Sequence, residues 1–353
     1  MSLGVGFYGA GFITRFHRGY LRDAGVDHRI VAVHDPDPER AAAFAAATGA
    51  TPVTEDELPD LVDAVYVTAW TSEHPRLVAK AAAAGKAVFC EKPLGVDGDV
   101  VDRMVATVTE AEVVNQVGLV LRYMAPFRLV RHLLADERAG RPLAVVFRDD
   151  QFIPIQGLYE STWRVDPQRC GHGALLEHSI HDVDILRWWL GPVASVSATT
   201  QSYHGHPGID DVANVRLDFA SGATATLVSV WHDILERPSM RHVEVFCERL
   251  HVVVEGDAVG PVRWRFTGEP EQRVEGAELI AELAGRDDHD ANPARAFLAA
   301  VAAHRPAHPD FAAALPAHRL VDSIYRSAAA DGELVRDAEH VHPRGDARVQ
   351  PPG

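Results

Sequence analysis

Lysine is nearly missing from this chain: of 34 Lys and Arg residues, only Lys80, Lys86 and Lys92 are lysine. Arginine therefore carries almost every plain positive charge. A lysine kept at a strand end points to a task that the permanently protonated guanidinium does not perform. Cysteine is equally scarce, and Cys90, Cys170 and Cys247 form neither a disulfide framework nor a paired zinc motif. No apolar run approaches the length of a membrane span. Met1-Ser2-Leu3 leads into a strand with no basic segment or cleavable apolar stretch, so no signal peptide is expected. Positive charge is also in deficit, and a net charge of −16 argues against holding nucleic acid or anionic lipid by attraction. Together these absences predict a soluble, cytoplasmic chain, and 353 residues is material for two domains.

What is present is alternation. An apolar strand at 3–8 precedes a helix carrying Phe12, Phe16 and Leu21, which stops near Gly25. Strand 29–34, helix 38–48, strand 64–68, helix 73–84, strand 87–90, helix 98–110 and strand 113–117 follow. Strands alternating with helices predict a parallel sheet covered on both faces. From about residue 143 the rhythm changes. One helix is expected around 173–190, then strand-like runs at 193–203, 212–219, 223–231, 241–254 and 262–266. This pattern predicts a mostly antiparallel sheet with helices on one face. A helical tail over 292–330 is expected to be interrupted at Pro306, Pro309 and Pro316. Residues 339–353 lack periodicity and are expected to be disordered.

Three groups of residues carry chemistry. The first is Gly9-x-Gly11-x-x-Thr14 between strand and helix. The first glycine suits the tight turn, and the second lets backbone approach a pyrophosphate at the helix N-terminus. The literal match at Gly4, Gly6 and Gly9 would consume the strand and is rejected. Asp35, 24 residues after Gly11 at the tip of the second strand, can accept from both ribose hydroxyls and repels a 2′-phosphate. The pattern predicts dinucleotide binding, with NAD favoured over NADP.

The second is Lys92. It follows the apolar strand Ala87-Val88-Phe89-Cys90, and Pro93 holds it extended at the strand tip. Ligands of open α/β sheets bind outside such strand ends. Lys80, in an Ala-rich helix, and Lys86, after Gly85, read as surface charges.

The third is the run from Cys170 to Asp184. On a continuous helix Glu177, His181 and Asp184 fall at i, i+4 and i+7 and share one face. A carboxylate one turn from an imidazole fits an acid–base pair. Metal ligation with His178 added, or a surface salt-bridge stripe, fits the same spacing. The adjoining Trp188-Trp189 reads as core.

Taken together, Gly9-Ala10-Gly11-Phe12-Ile13, His74, Glu91-Lys92-Pro93-Leu94, Gly118 through Tyr123, Trp163-Arg164-x-Asp166 and the 171–191 segment resemble the Gfo/Idh/MocA family of oxidoreductases. The resemblance implies a Rossmann dinucleotide-binding domain over 1–122. It implies an α/β substrate and oligomerisation domain over 123–338 with a mostly antiparallel open sheet, forming homodimers or homotetramers. It also implies NAD(P)-linked redox chemistry on a sugar, cyclitol or related polyol. Carried over by position, Lys92 orients substrate and nicotinamide, His181 exchanges the hydroxyl proton and Glu177 supports it. The cofactor contacts would be Gly9, Gly11, Phe12, Ile13, Asp35, Thr68, Trp70, His74, Glu91 and Lys92. The substrate contacts would be Tyr123, Trp163, Arg164 and His178, with no metal. Glu177 stands where the family usually has Asp, and Ser179 where it commonly has Gly. Two other functions on this fold stay open: transient oxidation during glycoside cleavage with tightly held NAD, and a cofactor-sensing regulator.

Overall fold

The computed structural model describes residues 2–237, 239–286 and 291–336, so the tail expected at 339–353 lies outside the described residues. Within the first 120 residues, β1 (Leu3–Tyr8), α1 (Thr14–Arg22), β2 (His28–His34), α2 (Pro38–Thr48), β3 (Thr51–Pro52), β4 (Ala64–Val67), α3 (His74–Ala83), β5 (Ala87–Cys90), α4 (Gly98–Glu110) and β6 (Asn115–Val117) alternate. The strands form one parallel sheet in the order β3-β2-β1-β4-β5-β6, the Rossmann arrangement. All four residues of β4 and of β5 are buried, as a sheet covered on both faces requires. Local signals set the helix ends. The Asp37 carboxylate accepts from the Glu39 and Arg40 N–H groups to start α2, and Gly49 at φ 79° ends it.

The remainder builds α5 (Ala125–Ala135), β7 (Pro142–Phe152), α6 (Pro167–Cys170), α7 (Ala174–Glu177), α8 (Ile180–Leu190), β8 (Val193–Gln201), β9 (Val212–Phe219), β10 (Thr224–His232), β11 (Met240–Cys247), β12 (Leu250–Glu255), β13 (Val262–Phe266), β14 (Gln272–Val274), α9 (Gly276–Ala284), α10 (Pro293–Ala302), α11 (Phe311–Ala329) and β15 (Val335–Arg336). Nine strands join in the order β14-β13-β12-β11-β7-β10-β9-β8-β15, all antiparallel except the β7–β10 pair. Alternation decides the faces. On β9, Ala213, Val215, Leu217 and Phe219 are buried while Asn214 and Arg216 are exposed. The buried face packs on Phe127 and Leu133 of α5, Val183 and Leu186 of α8, and Leu320 and Ile324 of α11.

Three expectations are corrected. The run 241–254 is a hairpin, β11 and β12 turning at Glu248-Arg249 without Gly or Pro, a turn clamped by Arg141 pairing with Glu248. Pro316 does not interrupt the tail but lies inside α11, where buried Ala314, Ala317 and Leu320 outweigh one lost backbone bond. The helix expected around 173–190 is broken at His178-Ser179. There the Ser179 hydroxyl is held by Asp149 Oδ2 at 2.8 Å and Ser229 Oγ at 2.7 Å, tertiary bonds that compete with helical geometry. The C-terminal helices return to the first sheet: Phe297 of α10 and Phe311 of α11 are buried in its two cores. Among the described residues no helix is long and apolar enough to cross a membrane.

Candidate active site

The carboxyl ends of the parallel strands open onto a cavity of about 1030 Å³. Every cofactor, substrate or catalytic contact expected from the sequence lines it except Tyr123, and Asp184 also lies outside it. Tyr123 instead donates its hydroxyl to the His308 carbonyl at 2.6 Å, turned aside by the short 3₁₀ turn Val120–Tyr123.

At one end lies a backbone cradle. Gly9 has φ +100°, and a Cβ there would meet the Thr68 carbonyl oxygen at 2.7 Å, so only glycine fits. Nothing lies within 4 Å of the place a Cβ would take on Gly11, which leaves open space over the loop. Thr14 fills the third glycine position by burying its side chain and donating its hydroxyl to the Gly11 carbonyl at 2.7 Å. Asp35 is fixed by the Ala10 N–H at 2.7 Å and the Asp37 N–H at 2.9 Å. Thr68 donates to the Gly9 and Tyr8 carbonyls, locking two strand tips together. His74 is committed to the backbone carbonyls of Pro93 and Ala69, so it pins the Lys92-Pro93 loop. Glu91 is buried and bonded to His17 Nε2 at 2.6 Å.

At the other end, Lys92 Nζ donates to the Glu177 carbonyl at 2.6 Å. Burial, aided by the Arg164 charge, pushes the Lys92 amine down to about 8. The Glu177 carboxylate does not support His181. It accepts from the Thr71 hydroxyl at 2.7 Å and lies 3.5 Å from Arg164 Nε, and burial raises its pKa against the pull of Arg164 and Lys92. Asp184, expected on the same helix face, is tied to Arg122 by bonds of 2.6 and 2.7 Å. The break at His178-Ser179 separates Glu177 from the face that carries His181, while Asp184, on the same helix as His181, is drawn away by Arg122. His181 Nδ1 is consequently buried with no hydrogen-bond partner. Burial and the charges of Lys92 and Arg241 push its pKa well below the usual histidine range.

Behind these residues sits a buried charged network. Arg241, 2% exposed, reaches Asp182 at 2.5 Å, Asp257 at 2.7 Å and Asp149 at 3.3 Å. Burial pushes Asp182 well above the usual carboxylate range. Asp149 is held below it despite burial, by Arg241 and His178. Asp149 Oδ2 lies 3.5 Å from His178 Nε2. Among the described residues no group of three or more His, Cys, Asp or Glu is placed to hold a metal ion.

Two family profiles match the chain: an oxidoreductase family with an NAD-binding Rossmann fold over residues 3–119, and a GFO/IDH/MocA C-terminal domain over residues 127–253. This chain belongs to the Gfo/Idh/MocA oxidoreductase family. It is 33% identical over 230 residues to a 1,5-anhydro-D-fructose reductase of Ensifer adhaerens, spanning 62% of this chain and 67% of the relative. An inositol 2-dehydrogenase of Rhizobium meliloti is 32% identical over 237 residues, 64% of this chain and 68% of the relative. Among solved structures, the WlbA dehydrogenase of Bordetella pertussis, in complex with NADH and UDP-GlcNAcA, superposes with a TM-score of 0.82 at 26% identity, covering 95% of this chain and 97% of that one. An oxidoreductase domain protein from Kribbella flavida shares the fold with a TM-score of 0.84 at 22% identity, covering 96% and 99%.

The cradle fits the dinucleotide that this Gfo/Idh/MocA domain binds, since open space lies over Gly11 beside a fixed Asp35 carboxylate. Sequence reasoning missed His17, Thr71, Tyr159, Asp149, Arg241 and Asp257. For Asp149 and Arg241 a signal exists: each occupies an inward position of its strand, beside Phe147 and Val243, where alternation reserves the place for an apolar residue. Thr71 and Tyr159 lie on connecting segments, where no periodicity marks them.

Proposed function

We propose that the protein is an NAD-dependent dehydrogenase acting on a secondary alcohol of a sugar, cyclitol or related polyol. One observation carries the reading: Lys92, His178 and His181 line one end of the cavity whose other end is the Gly9–Asp35 cradle. Bound NAD supplies the hydride acceptor. The chain's own groups supply orientation and the proton path. Lys92 has three donors and gives one to the Glu177 carbonyl, leaving two for hydroxyl oxygens of a polyol. Its compact charge beside the reacting oxygen favours the developing alkoxide over the alcohol. Arg164, Trp163 and His178 add directional and apolar contacts around a neutral, many-hydroxyl ligand. Formation of NADH across a panel of sugars and cyclitols tests the reading, and turnover of none of them would overturn it.

Asp35 sets the cofactor preference. Both of its oxygens are already held by backbone N–H groups, so the carboxylate stays in place to accept from ribose hydroxyls and repel a 2′-phosphate. NAD is expected to bind more tightly than NADP, with Asp35→Ser narrowing the gap by about tenfold or more. Titration of both cofactors checks this; equal affinity in the unmodified protein is the opposing result. The outer face of the nine-stranded sheet leaves Val146 46% and Phe246 39% exposed, which supports a homodimer or homotetramer built on that face. The three cysteines, buried and unpaired, support a cytoplasmic setting.

A further inference from the structure

We infer that His17 is a positioning residue for Lys92: by holding the Glu91 carboxylate, it fixes an anion beside the lysine and ties the helix of the cofactor cradle to the end of β5. The inference rests on the dehydrogenase reading only in what it says of turnover. The link itself is a property of the protein without substrate.

The link is built from buried groups. His17 lies on α1, the helix that follows the Gly9–Gly11 loop, and is 2% exposed. Its ring stands edge-on to Phe89 of β5 at 5.0 Å and to Tyr66 of β4 at 5.4 Å, which restricts its orientation. Nε2 meets Glu91 Oε1 at 2.6 Å. An ionised carboxylate only accepts, so the ring nitrogen donates, in a short charge-assisted bond. The other oxygen, Oε2, accepts the Lys92 main-chain N–H at 3.2 Å. On a further side the carboxylate rests against Gly118, just after β6, where a Cβ would meet Oε1 at 2.9 Å. The glycine leaves the room that the carboxylate takes. Glu91 is thus confined by α1, by its own neighbour and by the end of β6, and a charge so buried is costly without its donor.

Packing alone would not ask for a nitrogen at His17. The charges show what the nitrogen does. Burial opposes ionisation of Glu91, yet the bond from His17 and the charge of Lys92 hold its carboxyl below the ordinary range. The titratable groups within reach of its charge are His17 and Tyr20 from α1, His74 from α3, Cys90, Lys92 and Glu177. Burial likewise does most to push Lys92 down to about 8. Arg164 and Arg241 push the same way, Glu177 and Glu91 oppose them, and His178 and His181 lie within reach of the lysine charge. Without the His17 donor, burial prevails at Glu91 and its carboxyl takes up a proton. Lys92 then loses one of its two anions and titrates lower. A neutral amine does not favour an alkoxide, so His17 acts on turnover through Glu91 and Lys92.

Titration of the lysine amines tests this without cofactor or substrate. The chain has three lysines, so ¹³C-lysine-labelled protein gives three side-chain signals, and the one missing from Lys92→Arg belongs to Lys92. His17→Leu removes the donor and keeps an apolar side chain. It is expected to lower the Lys92 midpoint by about half a pH unit to one, with Lys80 and Lys86 unmoved. His17→Gln, whose amide N–H can stand in for Nε2–H, is expected to bring the midpoint most of the way back. Glu91→Gln is expected to lower it as far as His17→Leu does, and the double variant no further, because the two residues act as one unit. A midpoint unmoved in His17→Leu, or additive shifts in the double variant, overturns the proposal, and His17 then only fills space. If His17→Leu does not fold, His17→Asn, an amide too short to reach Glu91, puts the same question. In oxidation of the substrate found in the panel, the alkaline limb is expected to move down with the lysine midpoint. A limb that stays while the midpoint moves overturns the claim on turnover. Absence of any turnover counts against the dehydrogenase reading, and the lysine titration still decides the link.

Discussion

Lys92→Arg is expected to lower turnover by about 10²–10⁴-fold while the melting temperature changes little. The substitution keeps the charge and changes its shape. Lys92 sits at the end of β5 with Nζ bonded to the Glu177 carbonyl, inside a wall that also carries Arg164. A planar guanidinium needs a wider arc of acceptors than one carbonyl and one ligand oxygen provide, and it stays protonated throughout the working range. The lysine differs in a measurable way. With its pKa lowered to about 8, it is charged below that pH and neutral above it. If its cation steadies the alkoxide, oxidation should lose rate as pH rises through about 8, and that limb should vanish in the arginine variant. Steady-state rates across pH, with thermal melting of both proteins, check the prediction. Near-normal turnover in Lys92→Arg would remove Lys92 from the chemistry.

Arg241→Leu is expected to destabilise the fold by about 3–5 kcal/mol, the range for removing one partner from a buried charge pair. Arg241 is the cation shared by Asp149, Asp182 and Asp257. Burial pushes the Asp182 carboxyl well above its usual range while Asp149 is held below it, so the charge left stranded is mainly that of Asp149. The pH dependence gives the sign. In the unmodified protein Asp149 has a folded pKa below its unfolded value. It contributes stability above the unfolded pKa and loses it only as pH falls through the folded one. Without Arg241 the buried carboxylate has a raised pKa. Its penalty is then greatest at neutral pH and eases as the pH falls and the group protonates. The deficit should therefore shrink between pH 7 and pH 5. Urea unfolding at several pH values measures it, and a deficit constant across that range would show that lost packing, not stranded charge, is responsible.

The contrast between the two sites shows how far the sequence could be read. The places of Gly9, Gly11, Asp35 and Lys92 were legible because each stands at or just beyond a strand end, where local constraint fixes position: a tight turn, a strand tip, a proline. The helices 38–48 and 98–110 were legible to the residue, since Asp37 and Asp97 cap them and their apolar spacing is regular. The Glu177–His181 pair was misread for a physical reason. Its logic assumed an unbroken helix, and the break at His178-Ser179 comes from Asp149 and Ser229, residues that lie 30 and 50 positions from Ser179. Tyr123 does not line the cavity, because its hydroxyl is drawn to a carbonyl 185 positions away.

The sequence by itself determined the two kinds of sheet, the dinucleotide cradle and the placing of Lys92, because these depend on periodicity and on backbone conformations that neighbouring residues impose. Only the tertiary structure decided which groups surround Glu177 and His178. A hydrogen bond is made over about 3 Å, and the groups that reach Glu177 and His178 come from the segment before α3 and from β7, far from them along the chain and brought near only by packing.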